Sequence, residues 1–243
     1  MKNLIRRFLE NNGYLVFQKN FLPYLVSYCL DIKRLSGNPK GIRHIFDIGA
    51  NNGAVALHYS KEFPWARIFA FEPVQKTFAE LQKTIRNHPQ ISARNCALGC
   101  AAGKSQIFHG PCDLMHSMNP DAFPGSTFET IEVSTLDMEI KNGMPIPDFV
   151  KVDTEGFEMD VLEGSRGWLG SAGPKFLLLE TTFRKPERAH PQLRHQTSFS
   201  RLHEFVGKYG FEFVGIYDPD FNAFNPPRPP LSYCNALFYK GSS

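Results

Sequence analysis

The sequence predicts an α/β fold built on a mostly parallel, seven-stranded sheet with an antiparallel last strand, preceded by N-terminal helices. Short apolar runs alternate with stretches of helical spacing, which is the pattern of β-α-β units. A loop of small residues, Gly49–Gly53, follows the first run, and carboxylates stand at the ends of several runs. In such a sheet these chain positions meet at one edge, where ligands bind.

The predicted elements follow from their boundary residues. Ser36–Pro39 closes a helical N-terminal stretch, Pro64 stops the helix after the first strand, and Gly210 is a C-cap signal for the last helix. In chain order, we predict a helical region over 1–38, strand His44–Ile48, helix 54–63, strand Arg67–Phe71, helix 75–87, strand 91–98, paired strands around 106–108 and 130–133, strands Phe149–Asp153 and Phe176–Glu180, helix 199–209, and strands 211–217 and 235–239. No helix fits between the last two strands, so they should pair antiparallel.

Length and composition fit one main globular unit. The chain has 243 residues, enough to bury a substantial core. We expect residues 1–40 to form an N-terminal helical extension and residues 41–243 to form the main domain. The formal charge of the whole chain, +3, is too small to indicate nucleic-acid binding, and no basic stripe is present.

Cysteine usage and apolar segments indicate the compartment. The five cysteines are scattered and match neither a zinc site nor a disulfide framework, which favours buried thiols in a reducing compartment. The apolar segment Phe21–Leu30 is interrupted by Pro23 and falls far short of the ~20 residues that span a bilayer. We therefore predict a cytoplasmic protein without an integral membrane segment, in which Phe21–Leu30 packs on the domain or in the interface of a homo-oligomer. Binding of this segment to a membrane surface is the alternative.

Charge indicates which cofactor the first β-α-β unit would bind. Asn51 stands where a dinucleotide site has its middle glycine, and Asp47 ends the preceding strand. A carboxylate repels a pyrophosphate and attracts a cation, and in a low-dielectric cleft the difference reaches several kcal/mol. Glu72, after the second strand, is placed to accept hydrogen bonds from two ribose hydroxyls. The sequence thus predicts S-adenosylmethionine, which carries a sulfonium and an ammonium, rather than a nicotinamide dinucleotide.

A later apolar run is followed by three more carboxylates, Asp153, Glu155 and Glu158. In a doubly wound sheet the fourth strand lies beside the first at the switch point where ligands bind. We therefore expect Asp153 opposite the small-residue loop, near the reactive end of the cofactor. With Asp47 and Glu72, five acidic groups should converge on one rim. Any one of them could instead serve as a helix cap.

The chain resembles a known family in a set of ordered motifs. These are DIGANNG (47–53), FEP (71–73), NCALG (95–99), VSTLD (133–137), KVDTEGFE (151–158) and VLEG (161–164). In order and spacing they are similar to those of FkbM-type S-adenosylmethionine-dependent methyltransferases, from about residue 44 to about residue 182. The resemblance implies a Rossmann-like class I methyltransferase fold and O-methylation of a sugar or natural-product hydroxyl. Cofactor contacts are then expected from Asp47, Gly49, Asn51, Gly53, Glu72, Pro73, Asn95, Ala97, Ser117 and Asp153.

An alcohol is a poor nucleophile, so a base within hydrogen-bond reach should contribute ~10²–10⁴-fold to methyl transfer. Asp153 and Glu155 are the candidates at the fourth strand, and His116 competes because an unperturbed imidazole titrates near neutral pH. Glu158 would orient backbone donors or the cofactor, and Glu180 could bind hydroxyls of the acceptor. We predict no metal, although Asp153, Glu155 and Glu158 could instead hold Mg²⁺ or Mn²⁺.

The acceptor is predicted to be a small molecule, most readily a carbohydrate. Three loops would select it: 110–125, 184–197 and 218–231, the last with Phe221 and Phe224 available for stacking on a sugar ring. A nitrogen or carboxyl acceptor, and a non-catalytic scaffold that only binds the cofactor, stay open at this point.

Overall fold

A computed structural model describes residues 22–110, 116–118, 121, 125–173, 175–183, 197–220 and 233–241. The helices are α1 (Tyr28–Leu35), α2 (Ala54–Glu62), α3 (Gln75–Ile85), α4 (Leu136–Lys141), α5 (Glu158–Glu163), α6 (Arg166–Gly170) and α7 (Phe199–Gly207). The strands are β1 (His44–Ile48), β2 (Arg67–Phe71), β3 (Ile91–Arg94), β4 (Ala97–Leu98), β5 (Gly103–His109), β6 (His116–Ser117), β7 (Phe128–Ser134), β8 (Phe149–Val152), β9 (Lys175–Thr181), β10 (Glu212–Asp220) and β11 (Tyr233–Lys240).

The central sheet has seven strands in the order β10-β11-β9-β8-β1-β2-β3. β1 pairs in parallel with both β2 and β8, whereas β11 runs antiparallel to its neighbours β9 and β10. This is the predicted Rossmann-like arrangement, and the antiparallel last strand is confirmed. The order of the strands also places β8 directly beside β1, which brings Asp153 to the end of β1 as expected.

Successive side chains of each strand point to opposite faces of the sheet, and both faces carry an apolar layer. Ile45 and Phe149 face one layer, where they meet residues of α1, α2 and α3. Phe46 and Val150 face the other, where they meet residues of α4 to α7. Because both faces are covered, only the edge formed by the strand ends is left open to a ligand.

The prediction of one continuous strand over 91–98 is wrong. β3 ends at Arg94, and the chain then enters a second sheet of order β4-β7-β5-β6. The break lies at Asn95, whose side-chain amide donates to the backbone carbonyls of Glu72 and Pro73, both at 2.9 Å. The paired strands predicted around 106–108 and 130–133 are confirmed as antiparallel β5 and β7.

Residues 28–35 are the α-helix observed within the predicted helical region over 1–38, and residues 1–21 lie outside the described part. Its Cys29 and Ile32 are buried in the apolar layer of the sheet. In the described residues, none of the helices combines the length and apolarity that crossing a membrane requires. The boundary near residue 40 stays a prediction.

A buried carboxylate fastens this N-terminal helix to the edge of the sheet. Asp31 is fully buried, and its Oδ2 accepts hydrogen bonds from the backbone N–H of Leu25 and the hydroxyl of Tyr217, both at 2.8 Å. Arg34 adds an ion pair at 3.1 Å to the other oxygen. Since the partners lie 186 positions apart, the contact joins distant parts of the chain.

We predict that Tyr217→Phe lowers the free energy of unfolding by about 1–3 kcal/mol, because a buried carboxylate loses a donor. Urea denaturation measures the change. Tyr209→Phe is the control: its hydroxyl makes an exposed, 3.4 Å contact with Arg166, so its loss should change stability by less than about 0.5 kcal/mol. Equal effects of the two variants would contradict the anchoring role of Asp31.

Candidate functional site

A cleft opens at the carboxyl ends of β1, β2 and β8, with the second sheet on its other side. The empty space within it, counted together with open solvent at its mouth, is about 770 Å³. Nine of the predicted site residues line it: Gly49, Asn51, Glu72, Pro73, Ala97, His116, Ser117, Asp153 and Glu155. Asp47, Gly53 and Asn95 are not among the lining residues.

Asp47 lies beneath the cleft and faces a lysine. It is fully buried opposite Lys151 in the β1–β8 register. The ammonium of Lys151, 5% exposed, is 3.5 Å from Oδ1 of Asp47 and 3.0 Å from Oδ2 of Asp153, and it donates to the carbonyl of Gly49 at 3.2 Å. One buried cation therefore joins the ends of β1 and β8 and the loop between β1 and α2.

The pKa values in this cluster follow from burial and charge. Burial raises the pKa of Asp47 to about 6, against the opposing effect of Lys151. For Lys151, burial alone would lower the pKa, but the carboxylates of Asp153 and Asp47 outweigh it and hold the pKa above its ordinary value. The lysine is therefore a permanent cation, and its charge is already matched within the cluster.

Two glycines of the loop are required by packing. Gly49 has a φ of +75°, and a Cβ there would lie 1.8 Å from the carbonyl oxygen of Asp153. Gly53 has a φ of +84°, and its Cβ would lie 2.5 Å from Cδ1 of Leu81 on α3. Gly49 thus permits the close approach of β8 to the loop, whereas Gly53 serves the contact between α2 and α3.

Glu72 is held rigidly at the end of β2. Its Oε1 accepts from the N–H of Val74 and its Oε2 from the N–H of Asn51, both at 2.9 Å. Burial nevertheless raises the pKa of Glu72 to about 7. Asn95, one of the residues outside the lining set, fixes the same turn from behind through the carbonyls of Glu72 and Pro73.

The candidate bases lie on two sides of the cleft. Asp153 and Glu155 follow β8, and partial desolvation, together with the charges of Asp153 and Glu158, raises the pKa of Glu155 above its ordinary value. His116 and Ser117 form β6 in the second sheet, where Nδ1 of His116 lies 3.2 Å from Nδ1 of His109. The cleft therefore brings His116 into the same space as Asp153 and Glu155, which lie almost forty positions away in the sequence.

Glu158 lies away from the predicted rim. It begins α5 and is 1% exposed, with its carboxylate turned toward the backbone of the preceding turn. Three of the five predicted acids, Glu72, Asp153 and Glu155, line the cleft.

Sequence reasoning missed the role of Lys151 and the apolar half of the cleft. A lysine inside a buried strand is a usable signal, since such residues are almost never buried unpaired. The apolar lining could not be recognised from local sequence, because nothing near these residues in the chain distinguishes them from ordinary core residues. They are Ile48, Phe71, Val74, Cys96, Leu98, Ile107 and Met118. Glu180, named only as a possible acceptor contact, is 9% exposed, and its Oε2 has no hydrogen-bond partner among the described residues.

No group of three or more His, Cys, Asp or Glu residues is arranged to hold a metal in the part of the chain that the structure describes. The metal-free reaction stays a prediction. Of the acceptor loops, 184–196, 221–232 and most of 111–124 lie outside the described residues, and Phe221 and Phe224 with them.

Comparison with known proteins identifies the family. The profile of the methyltransferase FkbM domain matches residues 47–213. The chain belongs to the FkbM methyltransferase family. A crystal structure of an FkbM methyltransferase from Methylobacillus flagellatus has the same fold, with a TM-score of 0.54 at 16% identity over 87% of this chain and 52% of that chain.

Curated relatives carry the names of methyltransferases. The chain is 26% identical to methyltransferase sdnD of Sordaria araneosa (56% of this chain, 64% of the relative). It is 27% identical to the 31-O-demethyl-FK506 methyltransferase FkbM of Streptomyces tacrolimicus (49% and 58%). It is 29% identical to the hexuronic acid methyltransferase AglP of Haloferax volcanii (56% and 54%). The match thus spans less than two thirds of each relative's length.

We predict that Lys151→Met lowers the free energy of unfolding by about 3–5 kcal/mol at pH 8, because it leaves buried carboxylates without their cation. The loss should shrink as the pH falls to 5. Removing the cation raises the pKa of Asp47 further above its unfolded value, so the protonated, neutral form that the fold tolerates dominates at low pH and disappears as the pH rises.

Guanidinium titrations at both pH values measure this change. Lys104→Met is the control, since its ion pair with Glu132 is exposed and worth less than about 1 kcal/mol. A pH-independent loss in Lys151→Met would contradict the assignment.

Proposed function

We propose that the protein is an S-adenosylmethionine-dependent O-methyltransferase that acts on a hydroxyl of a sugar or glycosylated natural product. The observation that carries this proposal is the charge of the cleft. Three carboxylates line it, and no lysine or arginine does so among the described residues. Such a site favours a cationic ligand and repels a pyrophosphate, as expected for the sulfonium cofactor of this family.

The residues present fit each part of that cofactor. Glu72 offers a fixed, buried carboxylate to two ribose hydroxyls, with its orientation set by Val74 and Asn51. The apolar side of the cleft, with Leu98, Ile107 and Met118, suits an adenine ring. The charge of Asp153 suits the sulfonium and the ammonium group of the amino-acid end. We therefore assign these residues to cofactor binding.

When bound, S-adenosylmethionine supplies an electrophilic methyl group carried by a sulfonium. The chain has two tasks: to place the acceptor oxygen and to take its proton. Asp153 and Glu155 stand at the end of β8, and His116 stands across the cleft. A carboxylate receives the proton directly, whereas His116 can receive it only on a ring nitrogen that is not already protonated.

The acceptor class rests on the relatives. One is named for hexuronic acid and another for a demethylated natural product. We therefore propose a uronic acid or another polyhydroxylated ring as the first acceptor to test.

S-adenosylhomocysteine should bind with micromolar or tighter affinity in calorimetry. Glu72→Gln should weaken that binding by about 10–100-fold, because hydrogen bonds to a charged group are worth about 1.5–3 kcal/mol. Glu80→Gln, an exposed change on α3, should leave the affinity unchanged. Equal affinities of wild type and Glu72→Gln would reject the ribose assignment.

Binding should also depend on pH through Glu72. Its pKa of about 7 means that a proton must leave before the carboxylate accepts two hydroxyl donors. Affinity for S-adenosylhomocysteine should therefore fall by up to about tenfold per pH unit below 7 and level off above it. The same titration with Glu72→Gln should be flat over this range. A pH dependence that survives in the variant would assign it to another group.

Transfer of a radiolabelled methyl group should be measured against glucuronic acid, galacturonic acid and their methyl glycosides. Asp153→Asn, Glu155→Gln and His116→Asn then identify the base as the residue whose loss lowers kcat by about 10²–10⁴-fold. Cofactor binding without transfer to any hydroxyl, amine or carboxyl acceptor would favour a scaffold. Activity lost in EDTA and restored by Mg²⁺ would reverse the metal-free prediction.

A further inference from the structure

The turn that follows β8 has an unusual backbone. Glu155 has a φ of +53° and Gly156 a φ of +102°, both in the left-handed region. A residue with a side chain pays about 1–3 kcal/mol to remain there, so neighbouring contacts must hold it. The turn, Asp153–Phe157, carries Asp153, Thr154 and Glu155 into the wall of the cleft. Whatever fixes its shape therefore fixes a candidate base.

Glu158 supplies those contacts from within. Its Oε1 accepts hydrogen bonds from the N–H of Thr154 and the N–H of Gly156, both at 3.1 Å, and from the hydroxyl of Thr154 at 3.2 Å. The two N–H groups lie immediately before and after Glu155. One buried oxygen thus clamps both sides of the residue with the left-handed backbone.

Thr197 supplies the contact from outside the turn. Its hydroxyl donates to Oε2 of Glu158 at 2.7 Å and lies 3.4 Å from the carbonyl oxygen of Gly156. The carbonyl of Thr197 in turn accepts from the hydroxyl of Thr181 at 2.8 Å and from the N–H of Thr182 at 3.2 Å. The end of β9 therefore braces the turn after β8 through a single threonine.

We propose that Glu158 and Thr197 are positioning residues, which hold Glu155 in its left-handed conformation so that its carboxylate lines the methyl-transfer site. Neither side chain lines the cleft, so both act through Glu155. The role of Glu155 in methyl transfer rests on the proposed function, whereas the restraint on its backbone conformation does not. The same contacts explain why a carboxylate that belongs to the sequence motif is turned away from the rim.

Thr197→Val tests this inference, since it removes one hydroxyl at constant volume. Amide exchange at Thr154 and Gly156 should accelerate by about tenfold, the effect expected from one lost hydrogen bond to a charged group. The ¹³C titration of the Glu155 carboxyl should move toward its ordinary pKa, because the released side chain can move away from the charges of Asp153 and Glu158 that help to raise it. Methyl transfer to the best uronic acid of the panel should lose at least about tenfold in kcat, while the Kd of S-adenosylhomocysteine changes by less than about threefold.

Two further variants make the result specific. Thr197→Ser keeps the hydroxyl and should restore wild-type exchange, titration and kcat. Ser60→Ala removes another buried hydroxyl, which donates to the carbonyl of Leu57 on α2, and should leave the Glu155 titration in place. Where Thr197→Val does not fold, Glu158→Asp, too short to reach both the turn and Thr197, should show the same pattern.

Unchanged exchange and titration in Thr197→Val would overturn the inference. So would a loss of kcat that matches an equal loss of cofactor affinity, since that is the signature of general damage. A wild-type protein that binds no S-adenosylhomocysteine and transfers no methyl group would refute the proposed function instead. Exchange at Thr154 and Gly156 and the Glu155 titration would still decide between a clamped and an unclamped turn.

Discussion

The architecture of the cleft depends on one buried cation. Lys151 lies on β8 beside β1, near the carboxyl ends of both strands, with Asp47 on one side and Asp153 on the other. Its contact with the carbonyl of Gly49 adds the loop that follows β1. Two segments that are about a hundred positions apart in the chain, 47–49 and 151–153, are thereby kept together at the carboxyl ends of β1 and β8. A buried charge without such partners would be strongly unfavourable, so the two segments are mutually dependent.

This arrangement also determines the charge that a ligand meets. Because Lys151 is committed to Asp47 and Asp153, it adds no free positive charge to the cleft, and the lining stays acidic. Glu180 lies near the same cluster, and burial, together with the charge of Asp153, raises its pKa well above the ordinary value. Burial therefore favours the neutral, protonated form of Glu180 beside this charged cluster.

Much of the fold could be predicted because its elements have strong local signals. β1 and β2 lie at the predicted bounds, since their apolar runs are flanked by polar residues and small-residue loops. The break at Asn95 could not be predicted, because the carbonyls that its amide binds lie 22 and 23 positions away. The helices α4 and α6 were not predicted, since elements of five or six residues are too short to show helical periodicity. Lys151 stands within an apolar run, and its neighbours in the sequence do not reveal its partner, because Asp47 lies on a different strand.

The chain leaves the central sheet at Asn95, and this affects which parts of the cleft can change through substitution. Beyond that residue the second sheet packs around its own small core of Val74, Ala97, Ile107 and Ile131, apart from the two apolar layers of the central sheet. The covering sheet thus has a small core of its own, although Leu98 of β4 packs into an apolar layer of the central sheet. Substitutions in the covering sheet can reshape the entrance while the β1–β8 junction is preserved. A division of this kind lets relatives keep one reaction and diverge in the molecules they accept.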